Sequence, residues 1–143
     1  MKIIATNKNA KRNYEILKTF EAGIKLEGWE VKSARASNVE LKNAYCSIYK
    51  DEVFLKESYF KKYMLLKVEE TKNRKLLLHK KEILKIKQEL QKNLSLIPTK
   101  IYFNSNSLIK VELALGRGLK KYDKREKLKK EEVEKKIKKI LKF

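Results

Sequence analysis

Between residues 101 and 115 the chain spells out a β-hairpin: "IYF" and "LIKVELAL" flank "NSNS". Ile109, Val111 and Leu113 alternate with Lys110, Glu112 and Ala114, giving one dry face and one wet one. Other short aromatic and β-branched runs follow the same habit. "AYCSIY" and "EVFLK", separated by "KDE", predict a second hairpin, and "YMLLKV" predicts another strand. In "YEILKTFEAGIKLEGWEVKSA" the apolar positions predict a long curved strand pair, with Gly23 and Gly28 at bends or bulges. Helical signals are fewer. Asn7 to Arg12 has room for a turn or two, and "HKKEILKIKQELQKN" places Ile83, Leu84, Ile86 and Leu90 on or near one face of a helix over 79–92. Many short strands with one or two helices imply a mainly β protein, a small closed or partly open barrel of the oligonucleotide-binding (OB-like) kind.

The pattern changes beyond Gly118. Residues 120–143 hold twelve basic and five acidic side chains, no Gly, no Pro, and a thin apolar thread of Leu128, Val133, Ile137, Ile140 and Leu141. The expected organisation is a barrel over 1–118 and a basic tail over 119–143. A chain of 143 residues has no room for a second full domain.

Charge narrows the function. Charged residues make up 38% of the chain, against about a quarter in ordinary globular proteins. Thirty-seven Lys and Arg against eighteen Asp and Glu leave a formal +19, a field that draws polyanions, with nucleic acid the first expectation. Cys46 is the only cysteine and His79 the only histidine, so neither a disulfide framework nor a Cys/His metal site is expected. No cofactor is implied. No signal-length apolar segment and no run of about twenty apolar residues occurs, so a cytoplasmic protein without a membrane partner is expected. The tail's apolar stripe is narrow and lacks Trp, which weighs against a membrane-surface helix. Catalysis has little to build on, because the carboxylates are scattered and Ser33, Ser37 and Cys46 have no base beyond His79. The expectation is a protein that is not an enzyme.

The richest binding stretch is "TKNRKLLLHKK". Lys72, Arg74, Lys75, Lys80 and Lys81 surround three leucines, and strand alternation sends at least one of Leu76 to Leu78 outward, where it could pack on a base between phosphate-binding cations. "EVKSAR" offers Lys32 and Arg35 beside Trp29, itself more at home in a core.

The stretches "NKNAKRNY", "FEAGIKLEGWEVKSARA", "RKLLLHKKEI", "VELALGRG" and "KKYDKRE" occur in the order and approximate spacing of the small protein B family, the tmRNA-binding (SsrA-binding) proteins of bacterial trans-translation, and the likeness runs essentially end to end. That resemblance implies an OB-like barrel with added helices, gripping the tRNA-like part of tmRNA. By position it implies RNA contacts from Asn7, Lys8, Glu21 and Leu76, with Arg35, Arg74 and Lys75 on the phosphate backbone. It further implies a tail that is unstructured when free and helical on the ribosome. There Lys120, Lys121, Tyr122, Asp123, Lys124 and Arg125 would lie in the decoding region, and the remainder in the empty messenger channel. Elongation factor Tu with GTP would be met only indirectly, through alanyl-tmRNA. A general single-stranded RNA-binding or ribosome-associated barrel is the alternative. Two departures stand out: 57–73 lacks the proline and the "DP" usual before "RKLLL", and Gly116 and Leu119 replace commoner alanine and lysine, which would loosen a hinge and remove a phosphate contact.

Overall fold

The structure, a computed structural model, describes residues 2–63, 65–119 and 121–141. Its centre is a seven-stranded, wholly antiparallel sheet in the order β1-β8-β9-β2-β7-β5-β4. The strands are β1 (Lys2–Thr6), β2 (Tyr14–Ile24), β4 (Tyr45–Tyr49), β5 (Glu52–Lys56), β7 (Arg74–Leu77), β8 (Ser95–Phe103) and β9 (Ile109–Gly118). A two-residue ladder joins β3 (Val39–Glu40) to β6 (Tyr59–Phe60). The sheet has two ends, β1 and β4, and does not close on itself. The molecule is therefore mainly β with helices α1 (Lys8–Asn13), α2 (Gly28–Arg35), α3 (Lys80–Leu90) and α4 (Lys121–Leu141), rather than a closed barrel.

Both predicted hairpins form. The first turns at Lys50 and Asp51, each with positive φ, the backbone a two-residue hairpin loop of the primed type demands. The second closes on Asn104, whose Oδ1 accepts the N–H groups of Asn106 and Leu108. Val111, Leu113 and Leu115 of β9 are fully buried, joined on the inner face by Phe20 and Ala22 of β2, Val53 and Leu55 of β5, and Ile101 of β8. Helix α3 lays Ile83 and Ile86 on this core and leaves Leu84 outside.

Several sequence expectations change. The stretch from Tyr14 was read as two strands, but only Tyr14–Ile24 is extended and Gly28–Arg35 is helical. Glu27 and Glu30 explain this: Glu30, at the third helical position, accepts the N–H of Glu27 at 2.8 Å, a capping box written in the sequence as E-x-x-E. Gly28 is thus a first-turn residue, while the irregularity in β2 falls between Ile16 and Lys18. "YMLLKV" forms no strand among its described residues. The segment folds back on β6 instead: the N–H of Phe60 donates to the carbonyl of Glu70 and that of Lys62 to the Glu70 carboxylate, leaving Leu65 95% exposed. Gly116 is no hinge. It lies within β9 opposite Ile16 and Ser95, where an added Cβ would come within 3.0 Å of Tyr14 Cβ. Leu119 donates its N–H to the Asn13 carbonyl, so α4 leaves the body beside α1.

Deep between α2 and β7 lies a charged centre. The Nε of Arg74 donates to the carboxylate of Glu30, and both side chains are fully buried. The guanidinium also donates to the carbonyl and hydroxyl of Ser58 and to the carbonyls of Lys72 and Glu70, with the Phe60 ring 4.1 Å away. The sequence assigned Arg74 to RNA phosphate. The fold buries it as an internal tie, because its donors are already engaged by four residues of the same chain, Glu30, Ser58, Glu70 and Lys72. Removing one partner of such a pair strands the other charge without water. Arg74→Ala and Glu30→Ala should each lose about 3–5 kcal/mol of stability, read as a lowered urea midpoint, whereas exposed Lys80→Ala should leave that midpoint unchanged.

Candidate nucleic-acid interface

The outer face of the sheet is set by strand parity. Since Phe20 and Ala22 point inward, Thr19, Glu21 and Gly23 of β2 point out. Their cross-strand neighbours extend the row: Glu112 lies opposite Glu21, while Lys110 and Leu77 flank Gly23 from its two sides. Tyr102 and Lys100 of β8 lie opposite Lys110 and Glu112 in turn.

At the middle of this face two carboxylates, Glu21 and Glu112, stand directly across from each other, an unfavourable arrangement unless each is compensated. Tyr102 donates its hydroxyl to Oε2 of Glu21; Thr99 donates to the Glu112 carboxylate, and Lys100 Nζ lies 3.9 Å from its other oxygen. Burial, then the Glu21 carboxylate, push the Tyr102 phenol well above its ordinary pKa, so it stays protonated and keeps donating. Glu21 itself is exposed, and among the described residues its Oε1 accepts no hydrogen bond. The result is an aimed acceptor, with Lys110 two residues along β9 from its partner Glu112 and Lys100 one strand further, opposite Glu112.

Beside it, Leu77 rests over Gly23, where an added Cβ would sit 3.2 Å from Leu77 Cβ. Leu77 is 51% exposed and Leu76 only 2%. The outward leucine required by alternation is therefore Leu77, and Leu76, singled out from the sequence, belongs to the core. Parity was the missing piece: β7 pairs with β2 so that Leu77 meets Gly23 and Leu76 meets Ile24. Lys75, on the outer side of β7, holds Glu52 at 3.1 Å through a half-exposed pair. Such pairs are worth about 0–1 kcal/mol, so phosphate can displace the carboxylate at little cost.

Of the remaining sequence-selected residues, Arg35 borders this face, lining a groove with Gly23, Leu77 and Lys110, and the others lie elsewhere. Asn7 is buried, its Nδ2 donating to the Pro98 carbonyl at 2.9 Å and its N–H to the Thr99 carbonyl at 2.8 Å. It clamps the start of α1 to β8, and its buried Oδ1 has no partner among the described residues. Lys8 next to it is exposed, and Arg35 is exposed at the end of α2. Lys120 lies outside the described residues; for Lys121, Tyr122, Asp123 and Lys124 the helical backbone alone is described, and Arg125 is exposed. Sequence reasoning passed over Tyr102, which read as an ordinary strand residue. Among the described residues no group of His, Cys, Asp and Glu could hold a metal ion, and no helix is long and apolar enough to cross a membrane.

A β-face with a directed acceptor, nearby lysines and a half-exposed leucine has the ingredients of a nucleic-acid-binding surface. The comparisons give it a family. The model of the SmpB protein family matches residues 4–143, and the chain belongs to that family. An SsrA-binding protein of Mycoplasmopsis synoviae (strain 53) is 99% identical over 143 residues, covering all of both chains. One from Mycoplasmopsis fermentans is 53% identical, covering 99% of this chain and 98% of the relative. A solved structure described as "tmRNA-SmpB: a journey to the center of the bacterial ribosome" superposes with a TM-score of 0.68 at 38% identity, over 85% of this chain and 91% of the other.

The two neighbouring leucines should separate cleanly by measurement. Leu76→Ala removes core packing and should lose about 2–5 kcal/mol in urea unfolding, while Leu77→Ala should stay within about 0.5 kcal/mol of the parent.

Proposed function

We propose that this protein is a non-enzymatic adaptor that binds the tRNA-like part of tmRNA and delivers it to stalled ribosomes. The observation that carries the reading is the outer sheet face, where Glu21, oriented by Tyr102, stands two residues along β2 from Gly23, the residue flanked by Leu77 and Lys110. Each component has a task. Glu21 Oε1 accepts from base or sugar donors, Leu77 packs on a base, and Lys75, Lys100 and Lys110 meet phosphates and offset the carboxylate's repulsion. Leu76 and Arg74 act indirectly, by holding β7 in the register that presents Leu77 and Lys75. Asn7 likewise fixes the position of Lys8.

In this reading the curved sheet works as an open OB-like barrel and occupies the place of the missing anticodon arm. Helix α4 enters the vacant messenger channel of the ribosome, with the "YDKR" segment at the decoding region. Its 21 residues would reach about 30 Å at roughly 1.5 Å per residue. Away from the ribosome, crowded lysines disfavour the isolated helix, so its folding is coupled to binding of ribosomal RNA. The exposed stripe of Leu128, Val133 and Ile137 supports a helix that finds its apolar partners outside this chain. Elongation factor Tu with GTP joins through the aminoacylated RNA.

Binding to the tRNA-like portion of tmRNA, competed by ordinary tRNA in about 0.15 M salt, tests the barrel. Glu21→Ala and Leu77→Ala should each weaken binding about tenfold, whereas truncation after Gly118 should leave it nearly intact and abolish peptide tagging on stalled ribosomes. Equal capture by ordinary tRNA, or tagging by the truncated protein, would refute this reading.

A further inference from the structure

We propose that a basic pocket between the end of α2 and the loop after β6 is a second phosphate-binding subsite, which holds the backbone of the same RNA beyond Leu77. The inference rests on the tmRNA-binding reading and extends it to Lys61, Lys62 and Tyr63, which lie outside the stretches that carry the family resemblance. Lys32, Ser33 and Arg35 from α2 form one wall of the pocket, and Lys61, Lys62 and Tyr63 form the other. Among the described residues no carboxylate lines it.

What distinguishes it from an ordinary solvated run of lysines is that its framework is anchored. The N–H of Lys61 donates to the Asn38 carbonyl at 3.1 Å, and its carbonyl accepts the buried Ser33 hydroxyl. The N–H of Lys62 donates to the Glu70 carboxylate at 2.9 Å. Lys32 Nζ lies 4.6 Å from the centre of the Tyr63 ring, so a cation–π contact holds its ammonium on the pocket wall. Glu70 is occupied from behind: the Lys62 N–H first, then the Tyr59 hydroxyl, hold its pKa below the ordinary carboxylate value. Among the described residues none of Lys32, Arg35, Lys61 and Lys62 has an acidic ion-pair partner. Four cations gathered on a fixed frame, offset only in part by the Glu70 carboxylate that acts on Lys61 and Lys62, favour entry of an anion, and a phosphodiester supplies acceptor oxygens that a chloride ion lacks.

The occupant follows from continuity. Arg35 also lines the groove that contains Gly23, Leu77 and Lys110, so the pocket adjoins the candidate interface at Arg35. An RNA strand packed on Leu77 passes Arg35 and reaches Lys61 and Lys62 next.

The test uses the full-length protein and the tRNA-like portion of tmRNA, with affinity measured across a salt series. Phosphate contacts appear as the slope of log K against log salt, at about 0.7–0.9 per phosphate. Lys61→Ala/Lys62→Ala should lower affinity about tenfold near physiological salt and reduce the slope by about 1.5. Lys92→Ala, in the turn after α3, should change neither, and the thermal midpoint of all three proteins should agree. A double variant within twofold of a selective wild type, with unchanged slope, would overturn the pocket alone. Loss of ribosome association with an unchanged tmRNA isotherm would also overturn it, by giving the pocket to ribosomal RNA. A wild type without preference for the tRNA-like RNA would overturn this inference together with the reading on which it rests.

Discussion

The buried pairing of Glu30 with Arg74 organises everything the outer face displays. An ionised carboxylate and a guanidinium out of water are tolerable only when each finds partners, and both do: Glu30 accepts from Arg74, from Lys72 at 3.1 Å and from the Glu27 N–H, while Arg74 reaches Ser58, Glu70 and Lys72. These contacts draw α2, β7 and both ends of the 58–72 connection to one point. The direction of β7 follows, and so does the choice of which leucine enters the core. The end of α2, with Lys32 and Arg35, is located by the same centre. Buried residues thereby determine where the outward-facing residues of the proposed interface stand.

On the outer face the unusual ingredient is negative. A molecule with formal charge +19 places Glu21 and Glu112 side by side at the centre of its lysine-rich sheet. Cations alone attract any polyanion, but they do not distinguish one RNA from another. A fixed carboxylate rejects phosphate and rewards a hydrogen-bond donor, which only particular base edges or a ribose hydroxyl provide. The Tyr102 hydroxyl makes that carboxylate a directed acceptor rather than a mobile one. Surrounding pairs such as Lys75 with Glu52 are exposed and exchangeable, so attraction is adjustable while the acceptor stays aimed.

Much of this was legible in the residue order. The hairpins at 45–56 and 101–115, helix α3 and the change of character after Gly118 all follow from alternation, helical spacing and charge, which act over a few residues; the structure extends the second hairpin to 95–118. Glu21 was reachable through the "FEAG" motif, and at least one outward leucine through alternation. The helix at 28–35 was missed although its E-x-x-E capping box is local, because the preceding strand pattern seemed to continue through "GWEV". The "YMLLKV" run failed for the opposite reason: it has strand character but no neighbour to pair with, since Glu70 engages the backbone at Phe60 and Lys62.

By itself the sequence determined the strand-rich class, the hairpin turns, the cationic surface and the amphipathic basic tail, because each rests on steric preferences or charges carried by nearby residues. Only the tertiary structure decided which of two adjacent leucines is a core residue, that Arg74 is a tie rather than a phosphate ligand, and that Lys61 and Lys62 share a pocket with Arg35. Those outcomes depend on pairings between distant positions, Leu76 with Ile24 and Arg74 with Glu30 among them. A shift of one residue in register would reverse every inward and outward side chain of β7, and nothing within the tetrapeptide "RKLL" selects between the two.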